Sequence, residues 1–202
     1  LYTWWMKKVE QMQAIYDEIV ALTASPLYAF RVENNYVPVI GGGSLSASIM
    51  FVGEAPGENE AKTGVPFCGR SGKVLDTMLA SVNLSRDDVY ITSVVKDRPQ
   101  DNRDPTKKEI ELYGPFLDRQ LEIIKPRVVV LLGRYGMNYI FEKAGIGDKL
   151  QPISKIHGEV FVGDFGYGKV TLLPLYHPAA GLYNPKMRPV LLKDFQKLEK
   201  YI

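Results

Sequence analysis

Arg127-Val128-Val129-Val130-Leu131-Leu132-Gly133 is the stretch that decides the fold. Val128 to Leu132 is apolar without a break and is bounded by Pro126 and Gly133. A strand with one wet face alternates, so an unbroken run predicts burial on both faces, as in a parallel sheet covered by helices. Upstream, Thr106 and Glu109 form a capping box for a helix running to about Ile124, and Pro126 ends it. Further upstream, Val89 to Val95 reads as strand. Val74, Leu75, Met78, Leu79 and Val82 repeat at helical spacing over Ser71 to Val82, and Ser48 to Val52 reads as a buried strand halted by Gly53.

Downstream, a helix over about 135 to 144 is followed by strands at Val160 to Val162 and Val170 to Leu175, set around a glycine-rich turn. Pro189 to Tyr201 reads as a terminal helix. Strands alternating with helices through short connections predict an α/β fold with a parallel or mostly parallel sheet between helical layers. Near the start, Trp5, Met6, Val9, Met12, Ile15, Tyr16, Ile19 and Val20 lie at helical spacing, which predicts an amphipathic helix over about 2 to 24. Lys7, Lys8, Glu10, Asp17 and Glu18 interrupt any membrane-spanning run there, and no secretory h-region follows.

The 202 residues suit one domain, 1–202, and 46% apolar with 24% charged residues is the balance of a globular chain. A net charge of +2 neither requires nor excludes a polyanion, so a DNA-binding surface has to be a local patch. The single cysteine, Cys68, excludes an internal disulfide or a cysteine-rich metal site within one chain. An intracellular setting fits that composition.

In parallel α/β sheets ligands bind beyond the carboxyl ends of the strands, so unusual polar residues should follow strands. They do: Gly53-Glu54-Ala55-Pro56-Gly57-Glu58-Asn59-Glu60 follows one strand, Ser93 to Arg103 another, and Tyr176-His177-Pro178-Ala179-Ala180 the last. Alone, the first loop reads either as a phosphate cradle or as an ordinary strand-to-helix turn. It lacks the Lys-Ser/Thr ending of a P-loop and the spacing of a dinucleotide fingerprint.

Together the segments GEAPGENEAKTGVPFCGRSGKVLD (53–76), VYITSVVKDRPQDNRDP (89–105) and LYHPAAGLYNPKMRP (175–189) resemble the uracil-DNA glycosylase superfamily, specifically its family 4, over roughly residues 45 to 202. The resemblance implies an α/β/α sandwich around a four-stranded, mainly parallel sheet, and hydrolysis of the N-glycosidic bond of uracil or another deaminated base flipped out of DNA. Phe67 is then the platform for the flipped base, with Gly53, Glu54, Ala55 and Ser93 around it. His177 is the donor that stabilises charge on the departing base. Glu60 stands where relatives support the base-recognition residue, and Ala55 where other branches carry a catalytic aspartate. His157 matches no motif and reads as structural.

Arg70, Ser71, Lys96, Arg98, Asn102, Arg103, Pro178 and Arg188 fall in or beside these loops and are expected at the DNA, with Leu182 as the wedge that fills the vacated stack. The expected partner is damaged DNA, met by a monomer without a membrane. Two departures stand out. Relatives hold an iron–sulfur cluster with four cysteines, whose positions fall here on Leu22, Ser25, Asp97 and Tyr113, so no cluster and no other cofactor is expected. Ser93 replaces an asparagine whose amide both donates to and accepts from a pyrimidine edge, which leaves open a catalytically weak relative that binds damage without efficient excision. A nucleoside hydrolase acting on small molecules would leave Lys96, Arg98 and Arg188 without a task.

Overall fold

The computed structural model describes residues 2–202, with side chains from Met6 onward; Leu1 and the side chain of Trp5 lie outside the described residues. Its sheet has six strands in the order β1-β3-β2-β4-β6-β5. These are β1 (Gly42–Gly43), β2 (Ile49–Gly53), β3 (Tyr90–Ser93), β4 (Val128–Leu132), β5 (Phe161–Asp164) and β6 (Lys169–Leu175). The four inner strands run parallel. Both edges are antiparallel, β1 on β3 and β5 on β6.

The sheet is therefore mixed and six-stranded, which corrects the expectation of four strands, although the four parallel ones form its centre. The strand at β1 carried no sequence signal because Gly42-Gly43 has no side chains to alternate. Its backbone needs glycine: a Cβ on Gly43, at φ +111°, would stand 2.0 Å from the carbonyl oxygen of Val89.

The unbroken apolar run behaves as its pattern requires. In β4, Val129 and Leu131 enter one core layer while Val128, Val130 and Leu132 enter the other. The first layer is covered by helices α1 (Tyr2–Val20), α5 (Lys107–Ile124) and α6 (Arg134–Lys143), and the second by α4 (Arg70–Ala80) and α9 (Arg188–Phe195). Thr106 and Glu109 form the capping box read from the sequence. Helix α1 stops at Val20, short of the expected 24, and among its described side chains buries Lys8 and the apolar stripe Met12, Ile15 and Ile19, leaving Met6 and Val20 exposed. No helix among the described residues is long and apolar enough to cross a membrane.

Strands β3 and β4 flank β2 on opposite sides, so the chain turns away in both directions from the carboxyl end of β2. That crevice is where a parallel sheet leaves room for a ligand.

Candidate active site

Strands β2 and β3 end side by side, with Gly53 paired to Ser93. A Cβ on Gly53 would meet the Phe67 ring at 2.9 Å and the Ser93 hydroxyl at 3.2 Å. The missing side chain is thus what lets an aromatic ring lie over the strand ends. Phe67 takes the left-handed conformation at φ +49°, unusual for a bulky residue. Two neighbours hold it there. Gly72 packs so closely that a Cβ would stand 1.6 Å from the Phe67 carbonyl oxygen. Arg86, itself paired to Asp76, donates to the carbonyls of Pro66, at 2.7 Å, and of Phe67. Nothing in the sequence marks Arg86, because its partners lie 19 and 20 residues earlier in a different loop.

On the other side of Phe67 lies His177, its ring 5.5 Å away between centroids and 29° from parallel. The backbone N–H of Ala179 donates to Nδ1 of His177 at 3.2 Å. Burial pushes the His177 imidazole down to about 4, and the negative charge of Glu60 only partly opposes this. A neutral ring whose Nδ1 accepts must carry its proton on Nε2, so His177 presents one N–H donor. Glu60 is buried and accepts from the Gly69 N–H at 2.9 Å, closing the loop from α3 (Glu58–Thr63) to α4. It braces the Phe67 loop and sets the potential at His177.

Phe67, His177, Glu60 and Ser93 line a cavity of about 160 Å³ with Glu54, Ala55, Pro56, Ser71 and Asn102, while Gly53 lies behind the Phe67 ring and outside its lining. The cavity is smaller than the roughly 300–1,000 Å³ of sites for drug-sized ligands and suits a single ring. Glu54 is pushed up to about 7 by burial and by the like charge of Asp104, with Arg134 opposing. At neutral pH this carboxyl exchanges a proton readily. A larger open groove, bordered by Lys7, Lys8, Lys125, Phe165 and Tyr167, lies at the amino ends of the parallel strands and gathers none of the motif residues.

Lys96 does not reach the surface, which corrects its assignment to DNA. It is fully buried, donating to the Thr92 hydroxyl at 2.7 Å, the Ser93 carbonyl at 2.6 Å and Gln120 Oε1 at 2.6 Å. Burial pushes its amine well down, and three oxygens lie within hydrogen-bond reach of it. Its task is to clamp the end of β3. Arg98 is also committed: it donates to the Tyr36 hydroxyl at 2.7 Å and to Asn102 Oδ1 at 2.9 Å, with 10% of its side chain exposed. Arg103 makes a two-pronged pair with Glu109 at 2.6 and 2.9 Å.

Arg70 and Arg188 remain exposed and border a second groove with Lys73, floored by Val74, Met78 and Leu182. Pro178 is buried and opens helix α8 (Ala179–Tyr183). At the end of that helix Tyr183 is 79% exposed, an apolar surface beside Leu182 that no motif marks. His157 lies outside the cavity, its Nδ1 2.6 Å from Asp194 and its ring tilted on Tyr176.

The positions of the cluster cysteines do not fit a cluster. Ser25, Tyr113 and Asp97 are hydrogen-bonded to one another at 2.7 and 2.6 Å, so their oxygens are mutual partners, and Leu22 offers no ligand atom. Among the described residues no group of His, Cys, Asp or Glu is arranged to hold a metal ion.

Comparison with known proteins agrees in extent with the motifs. The profile of a family described as the uracil DNA glycosylase superfamily matches residues 40–201. The type-4 uracil-DNA glycosylase of Sulfurisphaera tokodaii is 44% identical over 193 residues, covering 95% of this chain and 85% of that protein. Its counterpart in Archaeoglobus fulgidus is 44% identical over 190 residues, covering 94% and 92%. That of Thermotoga maritima is 38% identical over 195, covering 96% and 95%.

Proposed function

The chain belongs to the uracil DNA glycosylase superfamily, and from that premise we propose that it is a family 4 enzyme excising uracil from DNA with His177 as its principal catalytic residue. The observation that carries the reading is the neutral His177, stacked on Phe67, with Nδ1 occupied and Nε2–H left as the donor at the cavity. Cleaving the N-glycosidic bond leaves negative charge on the base. A donor aimed at the carbonyl oxygen where that charge collects binds the transition state more tightly than the substrate.

The other residues take roles that follow from their surroundings. Phe67 stacks on the flipped base and excludes water. Glu60 braces the Phe67 loop, and its charge favours the positive character that develops at the sugar. Glu54, with its pKa near 7, is the carboxyl suited to activating water, a task the sequence left without an owner. Arg70, Ser71, Asn102 and Arg188 meet the phosphates, while Arg98 and Arg103 shape the loop that carries Asn102. Leu182 enters the stack.

No cofactor takes part. The positions that would ligate a cluster bind one another, and the reaction is a hydrolysis that needs no electron transfer. The enzyme acts as a monomer, as a single domain, inside the cell where DNA is found. A DNA strand with one uracil, incubated with the protein and then treated with alkali, should break at that position. His177→Ala should slow this by about 10²-fold or more while leaving DNA affinity nearly unchanged. Equal loss of binding and excision would remove His177 from the catalytic role.

A further inference from the structure

The loop Ser93 to Arg103 contributes Ser93, Asn102 and Arg103 to the cavity, and beyond Val94 and Val95, which enter the core, its residues are polar or charged apart from Pro99. Two consecutive residues of opposite charge turn inward from it. Lys96 grips the carbonyl of Ser93 from beneath. Asp97, with a side chain wholly removed from solvent, accepts from Arg31 Nη1 at 3.0 and 3.2 Å and from the Tyr113 hydroxyl at 2.6 Å.

The contacts continue from there. The Tyr113 hydroxyl lies 2.7 Å from Ser25 Oγ, which accepts from the Leu27 N–H at 3.1 Å. Arg31, in the short helix α2 (Tyr28–Glu33), donates to the carbonyls of Ile19 at 2.9 Å and Val20 at 2.5 Å. Those carbonyls belong to the last turn of α1, which has no basic residue of its own. Arg31 supplies the cation that a helix carboxyl end attracts. Three parts of the chain distant in sequence are thereby joined: the N-terminal stretch from the end of α1 through Ser25 to α2, the active-site loop, and α5.

We infer that Arg31, Asp97, Tyr113 and Ser25 act together as a positioning network that takes over the fastening of the N-terminal helices to the active-site loop, at the positions where relatives place cluster cysteines. Three of those four positions, 22, 25, 97 and 113, belong to one hydrogen-bonded chain, and Leu22 packs against the core layer that contains Tyr113. The effect passes to the DNA side through Arg98, the next residue. Asp97 is fixed from below, so Arg98 is held over the Tyr36 ring, 5.5 Å from its centroid, and bonded to Asn102. A buried ion pair adds little net stability against an apolar substitute but fixes one geometry, since breaking it leaves a bare charge inside. The role of the loop at DNA rests on the proposed function; the fastening itself does not.

Tyr113→Phe tests this with little risk to folding, because it removes one oxygen and keeps the ring. Native-state hydrogen exchange should quicken about tenfold at the Val39, Asn102 and Arg103 amides, which bond to Lys96, Pro99 and Gln100 of the loop, and stay unchanged at Val130 in β4. Exchange that rises equally in β4, or nowhere, overturns the inference. A second arm measures affinity for uncleaved DNA in a double-mutant cycle. Tyr113→Phe should weaken binding several-fold in the wild type and much less once Arg98→Ala is present, because both act on the same loop. Additive losses overturn transmission through Arg98. If the unaltered protein binds no DNA, the proposed function falls while the exchange measurement still decides the fastening.

Discussion

The protonation of His177 can be tested separately from activity. The folded protein holds this imidazole neutral down to about pH 4, whereas the unfolded chain takes up the proton near the ordinary value of about 6.5. Its folded pKa is depressed, so the unfolded state binds more protons between those values, and stability falls as the pH drops from 6.5 toward 4. At pH 5 the loss due to His177 is about 2 kcal/mol, and below pH 4 it approaches about 3 kcal/mol, from two and a half pH units at about 1.36 kcal/mol each. His177→Asn replaces the ring by a group that does not titrate.

Urea unfolding of both proteins at pH 8 and pH 5 isolates the effect, since the titrating groups away from His177 cancel in the difference. The wild type should lose about 2 kcal/mol more than His177→Asn over that interval. The chain has only two histidines, so NMR of labelled imidazoles resolves His177 beside His157 and reads its titration directly. At pH 7 its Nδ1 should show the signature of an acceptor and Nε2 that of a donor. A midpoint at or above 6.5, or equal pH dependence in both proteins, would refute the account of burial at His177, and a midpoint well above 7 would put an imidazolium at the base.

Three further outcomes follow from the cavity. Gly53→Ala sets a methyl against the Phe67 ring and the Ser93 hydroxyl, so uracil excision should fall at least tenfold with little change in Tm; unchanged kcat/KM would show that Phe67 can yield without cost. As the proposed base, Glu54 has to be ionised, so kcat should rise with pH through about 7 and level off above it. Glu54→Gln should flatten that profile and lower kcat by about 10² or more. The raised pKa of Glu54 also means that wild-type stability declines as pH climbs from about 4.5 through 7, a decline absent in Glu54→Gln, and urea unfolding across that range would show it. Ser93→Asn lengthens a side chain at the cavity wall and supplies a paired donor and acceptor, so excision of uracil should rise about ten- to a hundredfold; a decrease would mean that Ser93 belongs to a differently built pocket.

What the sequence made legible and what it hid divide along a physical line. Features written in neighbouring residues were readable: the doubly buried β4 from Val128 to Leu132, the capping box of Thr106 and Glu109, and three polar loops that each follow a strand. The structure brings Glu54, Glu60, Phe67, Ser93 and His177 to one cavity, as the motifs implied. Contacts between distant segments were not readable. Lys96 looks like a loop cation because periodicity ends with the strand, and only the fold shows that Gln120, 24 residues on, waits for it beneath β3. Ser25 and Tyr113 lie 88 residues apart. Nothing local to either says that they touch. The edge strand β1 was hidden for another reason, since a strand made of two glycines has neither propensity nor pattern.

Why the donor should be neutral follows from the field it works in. Bound DNA surrounds the site with negative charge, and Glu60 already lies close enough to favour a proton on His177. An imidazolium there would pair with carboxylate and phosphates before any bond stretched, and the same attraction would hold in ground state and transition state alike. A neutral N–H is a modest donor to a carbonyl and a much stronger one to the same oxygen as it becomes an anion, so its contribution is concentrated where it accelerates the reaction. Keeping the ring neutral therefore demands burial strong enough to outweigh Glu60. Phe67 contributes to that burial by lying on His177, Gly53 leaves the space for Phe67, and Arg86 with Gly72 holds Phe67 in its left-handed conformation. The tautomer is then settled by the Ala179 N–H, which occupies Nδ1. Arg86, with no place in the reacting groups, thus supports the ring that lies on His177.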